Sequence, residues 1–145
     1  MTDLSKNTQT PQCVKTDVSS SLSIQDRIDI VNKIIVLISV KSRRFFFSQT
    51  KNSTAKIILE NEYVYFIDHY SQIAIPLDIP IGEHWRNFSS GGTLKGLVLD
   101  FYDFISTGEK SNHNNGYGGL FCPHWGYSEK DMKEIQELAL SLGYL

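Results

Sequence analysis

The chain has 145 residues, of which 41% are hydrophobic and 21% are charged, values typical of one ordinary globular domain. The formal net charge of −2 excludes a protein that binds nucleic acid through its overall charge. The two cysteines, Cys13 and Cys122, form no disulfide framework, which favours a reducing compartment, although a single bridge stays open. The longest apolar stretch, residues 34–40, is too short to span a membrane, so we expect a cytoplasmic protein.

The first 22 residues are rich in Ser, Thr, Asn and Gln and carry few large apolar side chains. Such a segment buries too little apolar surface to offset the entropy lost on ordering, so a flexible tail is predicted over residues 1–22. It lacks the apolar run of a secretory signal. A single domain is predicted over residues 23–145, and the tail is interpreted as a solvated extension rather than a recruitment segment.

Three segments have apolar residues at helical spacing. Ser23 and Asp26 resemble a capping box, and the apolar face that follows them reaches Val40. A second helix is predicted over residues 94–106 with Gly108 as its stop, and a third is predicted between a cap at Ser128 and residue 143.

Short β-branched and aromatic runs lie between the first two helices. They predict strands over residues 43–48, 56–60, 62–68 and 73–77, with turn residues at 51–54. The sequential spacing favours an antiparallel sheet of three or four strands, and the helices are expected to cover one face of it in an α+β fold. A long irregular segment, 109–127, follows the second helix, and three of its side chains are predicted to pack on the core: Leu120, Phe121 and Trp125.

The strongest candidate site is the start of the second helix at Gly91 and Gly92. The free N–H groups of a helix N-terminus suit an anion. Side chains that could add donors are Arg86, Ser89, Ser90 and Thr93. The spacing is not that of a P-loop. The alternative interpretation is a tight turn capped by Ser90 or Thr93, with Trp85 packed on the core.

Two segments of the chain resemble a known group of proteins. The first runs from Trp85 through Phe88-Ser89 and Gly91-Gly92-Thr93-Leu94, and the second is Trp125-Gly126-Tyr127. These segments resemble a W-x-x-F-S-x-G-G-T-L segment and a late W-G-Y in short, uncharacterised bacterial proteins of plasmids, integrative elements and prophages. The resemblance covers about residues 45–145. It implies an accessory protein of a mobile element, acting against host defence, and supplies no catalytic residue.

We therefore predict a non-enzymatic binding module that docks on a protein partner and occludes its functional surface. Aromatic residues on flexible backbone are common in interfaces. The residues predicted to carry binding are Trp85, Arg86, Ser89, Gly91, Gly92, Tyr117 and Trp125. No cofactor, metal or membrane partner is expected.

Binding of nucleic acid, a nucleotide or another anion through a basic stretch and the Gly91-Gly92 helix start is the first alternative. A basic stretch without an acidic residue contains Lys41, Arg43, Arg44, Lys51 and Lys56. The phenylalanines 45–47 lie between these cations, as in surfaces that stack nucleic-acid bases. A solvated basic edge that discourages strand pairing is the simpler interpretation.

Chemistry at ionisable side chains is the second alternative. Cys122 and His124 could form a nucleophilic pair in a small hydrolase or transferase, and with His113 they give only a weak zinc signal. Asp100 and Asp103 share a helix face but are predicted to be solvated opposite the apolar stripe. His69 and His84 lie in predicted loops without an evident partner.

Overall fold

The computed structural model describes residues 22–80 and 82–145. The predicted tail, apart from Leu22, lies outside the described residues, and so does Cys13. Within the described part of the chain, no helix has both the length and the apolar character needed to cross a bilayer.

Helix α1 spans Ile24–Val40 and begins at the predicted capping box. The Ser23 hydroxyl accepts a hydrogen bond from the N–H of Asp26 at 3.0 Å, and the Asp26 carboxylate accepts one from the N–H of Ser23 at 3.1 Å. The fully buried side chains of its inner face are Ile28, Val31, Ile34, Ile35 and Ile38. Because this face is β-branched, tertiary packing contributes more to the helix than intrinsic propensity does.

The strands form two antiparallel sheets in the described residues. Phe47–Ser48 (β1) pairs with Ser53–Thr54 (β2) in a small ribbon. Lys56–Glu60 (β3), Tyr63–Ile67 (β4) and Ala74–Pro76 (β5) form a three-stranded meander in that order. The predicted α+β class and the antiparallel meander are confirmed.

Helix α1 covers the outer edge of the meander. The Asn32 side chain donates to the carbonyl of Ile57 at 2.8 Å and accepts from the N–H of Ile57 at 2.8 Å. The amide thus satisfies both polar groups of one β3 residue as a paired strand would. An edge satisfied in this way cannot extend to another chain at that residue.

The predicted strand over residues 43–48 is wrong for residues 43–46. Arg44 and Phe46 have φ angles of 53° and 66°, in the left-handed region that no strand adopts. Only Phe47–Ser48 is therefore extended and paired. The turn predicted over 51–54 is also too long, because Ser53–Thr54 is the partner strand.

Helix α2 spans Gly92–Thr107 and ends, as predicted, at Gly108, whose φ of 78° is left-handed. Arg27 of α1 is buried against this end and donates from Nε to the carbonyl of Ile105 at 2.8 Å. A cation at the negative end of the helix dipole stabilises both the helix and its packing on α1.

Helix α3 spans Glu129–Leu142, with Ser128 as its cap and Gly143 as its left-handed stop. A short 3-10 helix, Gly119–Phe121, lies in the segment that leads to it. Leu120 and Trp125 are buried as predicted. Phe121 is 53% exposed, so its predicted place in the core is wrong, because neighbouring side chains of a 3-10 turn point in different directions.

Candidate functional site

The predicted site centres on the first turn of α2. Gly91 is the N-cap residue, and no side chain caps the helix, so the alternative cap by Ser90 or Thr93 is not formed. The first helical hydrogen bond runs from the N–H of Lys95 to the carbonyl of Gly91 at 3.1 Å. Gly91 and Gly92 are exposed. This turn therefore presents free N–H groups and the positive end of a helix dipole to its surroundings.

The loop after α2 returns to this turn. A Cβ on Gly96 would lie 2.8 Å from the carbonyl oxygen of Asn115, so only glycine lets the loop backbone approach the helix so closely. The Tyr117 ring lies 3.7 Å from the position that a Cβ on Gly92 would take. Tyr117 is 58% exposed, so the structure places a free aromatic ring beside the uncapped turn.

The two tryptophans of the predicted site are buried. Trp85 lies under Lys95, whose Nζ is 5.9 Å from the ring centroid. Trp125 packs edge-on against Phe45. Only the Trp85 ring therefore lies beneath a residue of α2, and the role of both tryptophans in binding stays a prediction.

Arg86, by contrast, is exposed, and its guanidinium lies 3.5 Å from the Glu83 carboxylate. An exposed pair of this kind contributes little to stability. The guanidinium is therefore available to a partner at small cost.

Ser89 is held by a buried carboxylate that sequence analysis did not single out. Asp68 Oδ1 accepts from the N–H and the hydroxyl of Ser89 at 2.8 and 3.1 Å, and Oδ2 accepts from the N–H groups of Tyr70 and Ser71 at 3.0 and 2.9 Å. Asp68 thereby ties the β4–β5 turn to the segment before α2. The available signal was an Asp directly after a strand and before turn residues, where Asx turns form.

The hydrogen bonds to Asp68 favour the ionised form of its carboxyl group. Burial acts to raise the pKa of Asp68, but the hydrogen bonds from Ser89, Ser71 and Tyr70 outweigh it and lower the pKa.

Burial lowers the pKa of His69 against the opposing effect of Asp68. His69 does have a partner, since its Nε2 lies 3.2 Å from the Ser89 hydroxyl. A nucleophilic triad would need the acid on the imidazole, whereas here Asp68 bonds to Ser89.

The predicted basic stretch is split between two environments. Lys41 pairs with Glu134 at 2.7 Å. The other four cations are exposed: Arg43, Arg44, Lys51 and Lys56. Arg44 lies over the Phe47 ring at 5.7 Å and Lys51 over the exposed Tyr70 ring at 5.5 Å. These cation–π pairs keep the stretch as an alternative binding surface.

The Cys122 and His124 side chains are not brought together. Cys122 is buried, and its sulfur accepts from the backbone N–H of His124 at 3.4 Å, while the imidazole is exposed. A nucleophilic pair would need the thiol on the imidazole. Among the residues that the structure describes, no group of three or more His, Cys, Asp or Glu side chains could hold a metal ion.

The prediction for the carboxylates of α2 is half right. Asp103 is exposed, but Asp100 is only 2% exposed. The returning loop covers it, and Asn115 donates its N–H and its amide group to Asp100 Oδ1 at 3.1 and 2.7 Å. The helical pattern could not show this, because a polar loop covers the face opposite the apolar stripe. Burial raises the pKa of Asp100 against the opposing effect of the Asn115 hydrogen bonds.

Comparison with known proteins gives one match. A family model described as YoqU matches residues 21–145. Neither a curated protein nor a solved structure is significantly similar to the chain. The family name is of a type given to phage proteins, which agrees with the mobile-element group that the two sequence segments resemble; that these segments define the family stays a prediction. The chain belongs to the YoqU family.

Proposed function

We propose that this phage-associated protein is a non-enzymatic accessory protein that docks on an acidic surface of a protein partner. The docking surface consists of the uncapped first turn of α2 and the side chains around it, and we call it the α2 surface. Its residues are Arg86, Gly91, Gly92, Lys95 and Tyr117.

Charge complementarity supports an acidic partner. Residues 84–99 include Arg86 and Lys95 but no Asp or Glu. The free N–H groups after Gly91 add the positive end of the α2 dipole. A carboxylate of a partner would therefore meet positive or neutral groups at the α2 turn and would replace the exposed Glu83 carboxylate at Arg86.

The exposed Tyr117 ring is the observation that favours a protein as the partner. An aromatic side chain that is 58% exposed and lies beside the free N–H groups of a helix start has the character of a binding hot spot. Docking here would act by occlusion of the partner's functional surface. Inhibition of a host defence complex is the form of occlusion that the resemblance implies.

A substitution at Gly91 can test docking without disturbing the fold. Gly91 has extended backbone, and a Cβ there would meet nothing within 4 Å. Gly91→Asp supplies the missing cap and is expected to keep or raise stability by a few tenths of a kcal/mol, while its carboxylate repels an acidic partner. Gly91→Asn supplies a neutral cap of the same shape and is the matched control.

The experiment is capture from nuclease-treated lysate of the host, with each variant compared against the wild type. The expected result is one protein captured by the wild type, captured more weakly by Gly91→Asn because its side chain occupies one of the free N–H groups, and lost with Gly91→Asp and with Tyr117→Ala. Asn61→Asp, which adds a carboxylate at the exposed β3–β4 turn, is expected to capture normally. Capture by Gly91→Asp at the wild-type level would contradict the proposal.

Nucleic-acid binding is the second candidate, and the exposed Arg44–Phe47 and Lys51–Tyr70 pairs favour it. It predicts that nuclease removes the captured material and that affinity falls steeply with salt. It further predicts that the double variant Arg43→Glu and Arg44→Glu loses binding while Gly91→Asp keeps it. That outcome would replace the first proposal.

A further inference from the structure

The three-stranded meander has apolar side chains on both of its faces. Directly opposite residues of neighbouring strands point to the same side of a sheet. The register therefore assigns the core face to the buried residues Ile57, Phe66 and Ile75. The opposite face, which we call the outward face, carries six apolar residues: Ile58, Tyr63, Tyr65, Ile67, Ala74 and Pro76.

The outward face is separate from the hydrophobic core. Ile58, Tyr65 and Ile67 are half-buried, but none of them belongs to the apolar side chains that pack against the core of the described residues. Tyr63 is 55% exposed. A sheet with one face in solvent normally alternates apolar and polar residues, whereas every residue of β4 is aromatic or aliphatic. This composition indicates a face that packs against another molecule.

The two edges of the meander are poor places for another chain to add a strand. On β3, the Asn32 side chain already occupies both backbone polar groups of Ile57. On β5, Pro76 has no N–H to donate to a further strand. Association through the meander is therefore expected to use its outward face rather than its edges.

The charges of the outward face are self-complementary. Lys56 and Glu60 are both exposed and lie at opposite ends of β3, about 13 Å apart along the strand. The row Ile58–Tyr65–Pro76 crosses the sheet midway between their levels. A second copy turned by 180° about this row lays β3 on its own copy in the opposite direction. Lys56 then faces Glu60 of the second copy, twice by symmetry.

We propose that two copies of this chain pack outward face to outward face, about a two-fold axis parallel to the row Ile58–Tyr65–Pro76. The row packs on its own copy, and Ile67 faces Tyr63 of the second copy. Packed sheets lie about 10 Å apart, with their strands within about 30° of each other. Lysine and glutamate side chains are long enough to bridge this spacing.

Charge also distinguishes this axis from the other two-fold axis that brings the same faces together. An axis parallel to the strands would lay β3 on β5 of the second copy. Lys56 would then face Ala74, and its charge would have no opposite charge across the interface. The axis along the row is therefore favoured.

The test is sedimentation equilibrium of the full chain between about 1 µM and 1 mM. The outward face spans three short strands, less than a permanent dimer buries, so a reversible equilibrium between monomer and dimer is expected. A monomer at every concentration would overturn the proposal and leave the outward face to a different partner.

Tyr65→Lys tests the apolar row. It places two ammonium groups against each other on the axis, and it is expected to raise the dissociation constant of the dimer at least about tenfold. Urea denaturation checks that the variant folds. Tyr70→Lys is the matched control, because Tyr70 is equally exposed aromatic surface outside the outward face and should leave the dimer unchanged. A Tyr65→Lys protein that dimerises like the wild type would contradict the proposal.

Charge reversal tests the axis. Lys56→Glu and Glu60→Lys each place like charges opposite one another in two symmetric pairs, so each is expected to weaken the dimer about tenfold. The double variant restores both opposite-charge pairs and is expected to return to within about threefold of the wild type. A double variant as weak as the single variants, or single variants that dimerise like the wild type, would overturn the proposed packing.

Discussion

Asp68 and Asp100 are both buried, at 0% and 2% exposure, yet their carboxyl groups differ in chemistry. Asp68 receives hydrogen bonds on both oxygens, from Tyr70, Ser71 and Ser89. Asp100 receives them on one oxygen only, from Asn115. The pKa of Asp68 is lowered and that of Asp100 is raised.

The comparison shows that burial alone does not set the charge of an aspartate. Burial acts to raise the pKa in both cases, and the number of donors decides whether it prevails. Asp68 stabilises the approach to the α2 surface. Asp100 carries a cost in stability, because its Oδ2 atom is buried without a hydrogen-bond partner in the described residues.

The same substitution at both positions should have opposite effects on stability. Asp68→Asn places an amide against backbone N–H donors and is expected to lower the free energy of unfolding by about 3 kcal/mol. Asp100→Asn keeps both bonds to Asn115 and removes a half-paired buried charge, so it is expected to be neutral or stabilising. Urea denaturation of both variants and the wild type measures the difference. Equal losses of unfolding free energy in the two variants would show that the number of hydrogen-bond donors does not distinguish the two carboxyl groups.

A smaller effect is expected where the loop packs over Asp100. An added Cβ at Gly96 would lie 2.8 Å from the backbone oxygen of Asn115, and one at Gly92 would only contact the Tyr117 ring at 3.7 Å. Gly96→Ala is therefore expected to cost about 1–2 kcal/mol through displacement of the loop, although alanine favours the helix. Gly92→Ala gains the helix propensity without the clash and should stabilise the protein by up to about 1 kcal/mol.

Chemical denaturation compares these two glycine variants, and amide shifts at Asn115 report the loop. A Gly96→Ala protein as stable as Gly92→Ala, with Asn115 unshifted, would show that the loop does not depend on this close approach.

The sequence predicted the helices and the meander well because local signals and periodicity agree there. Helix α1 begins at the capping box of Ser23, and helix α2 ends at Gly108, as the sequence predicts. The alternating residues of β4 likewise indicate the strand that forms. The strand over residues 43–48 failed because the left-handed φ of Arg44 and Phe46 depends on tertiary contacts, to which local propensity is blind.

The candidate site was predicted less completely, for a related reason. The turn at Gly91 is local, and the structure shows it exposed with the Tyr117 ring beside Gly92, while its role in binding stays a prediction. The hydrogen bonds of Asp68 with Ser89 and of Asp100 with Asn115 join residues that are distant in the chain. Periodicity placed Asp100 on the solvent side of α2, and only the path of the following loop shows that this side is covered.

The stabilities that Asp68 and Asp100 contribute should depend on pH in opposite directions. The unfolded pKa of an aspartate is about 3.9. The lowered pKa of Asp68 gives stability that is complete above that value and is lost as the pH falls through the folded pKa. The advantage of the wild type over Asp68→Asn should therefore shrink in acid.

The raised pKa of Asp100 has the opposite sign, because the folded state binds its proton more tightly than the unfolded state. Stability from this group is present below about pH 3.9 and is lost as the pH rises through the folded pKa. Asp100→Asn should match the wild type near pH 3 and gain on it towards pH 6, by about 1.4 kcal/mol for each unit by which the pKa is raised. Urea melts across this range measure the gain. A constant difference between the two proteins would mean that Asp100 does not titrate as a half-paired buried acid.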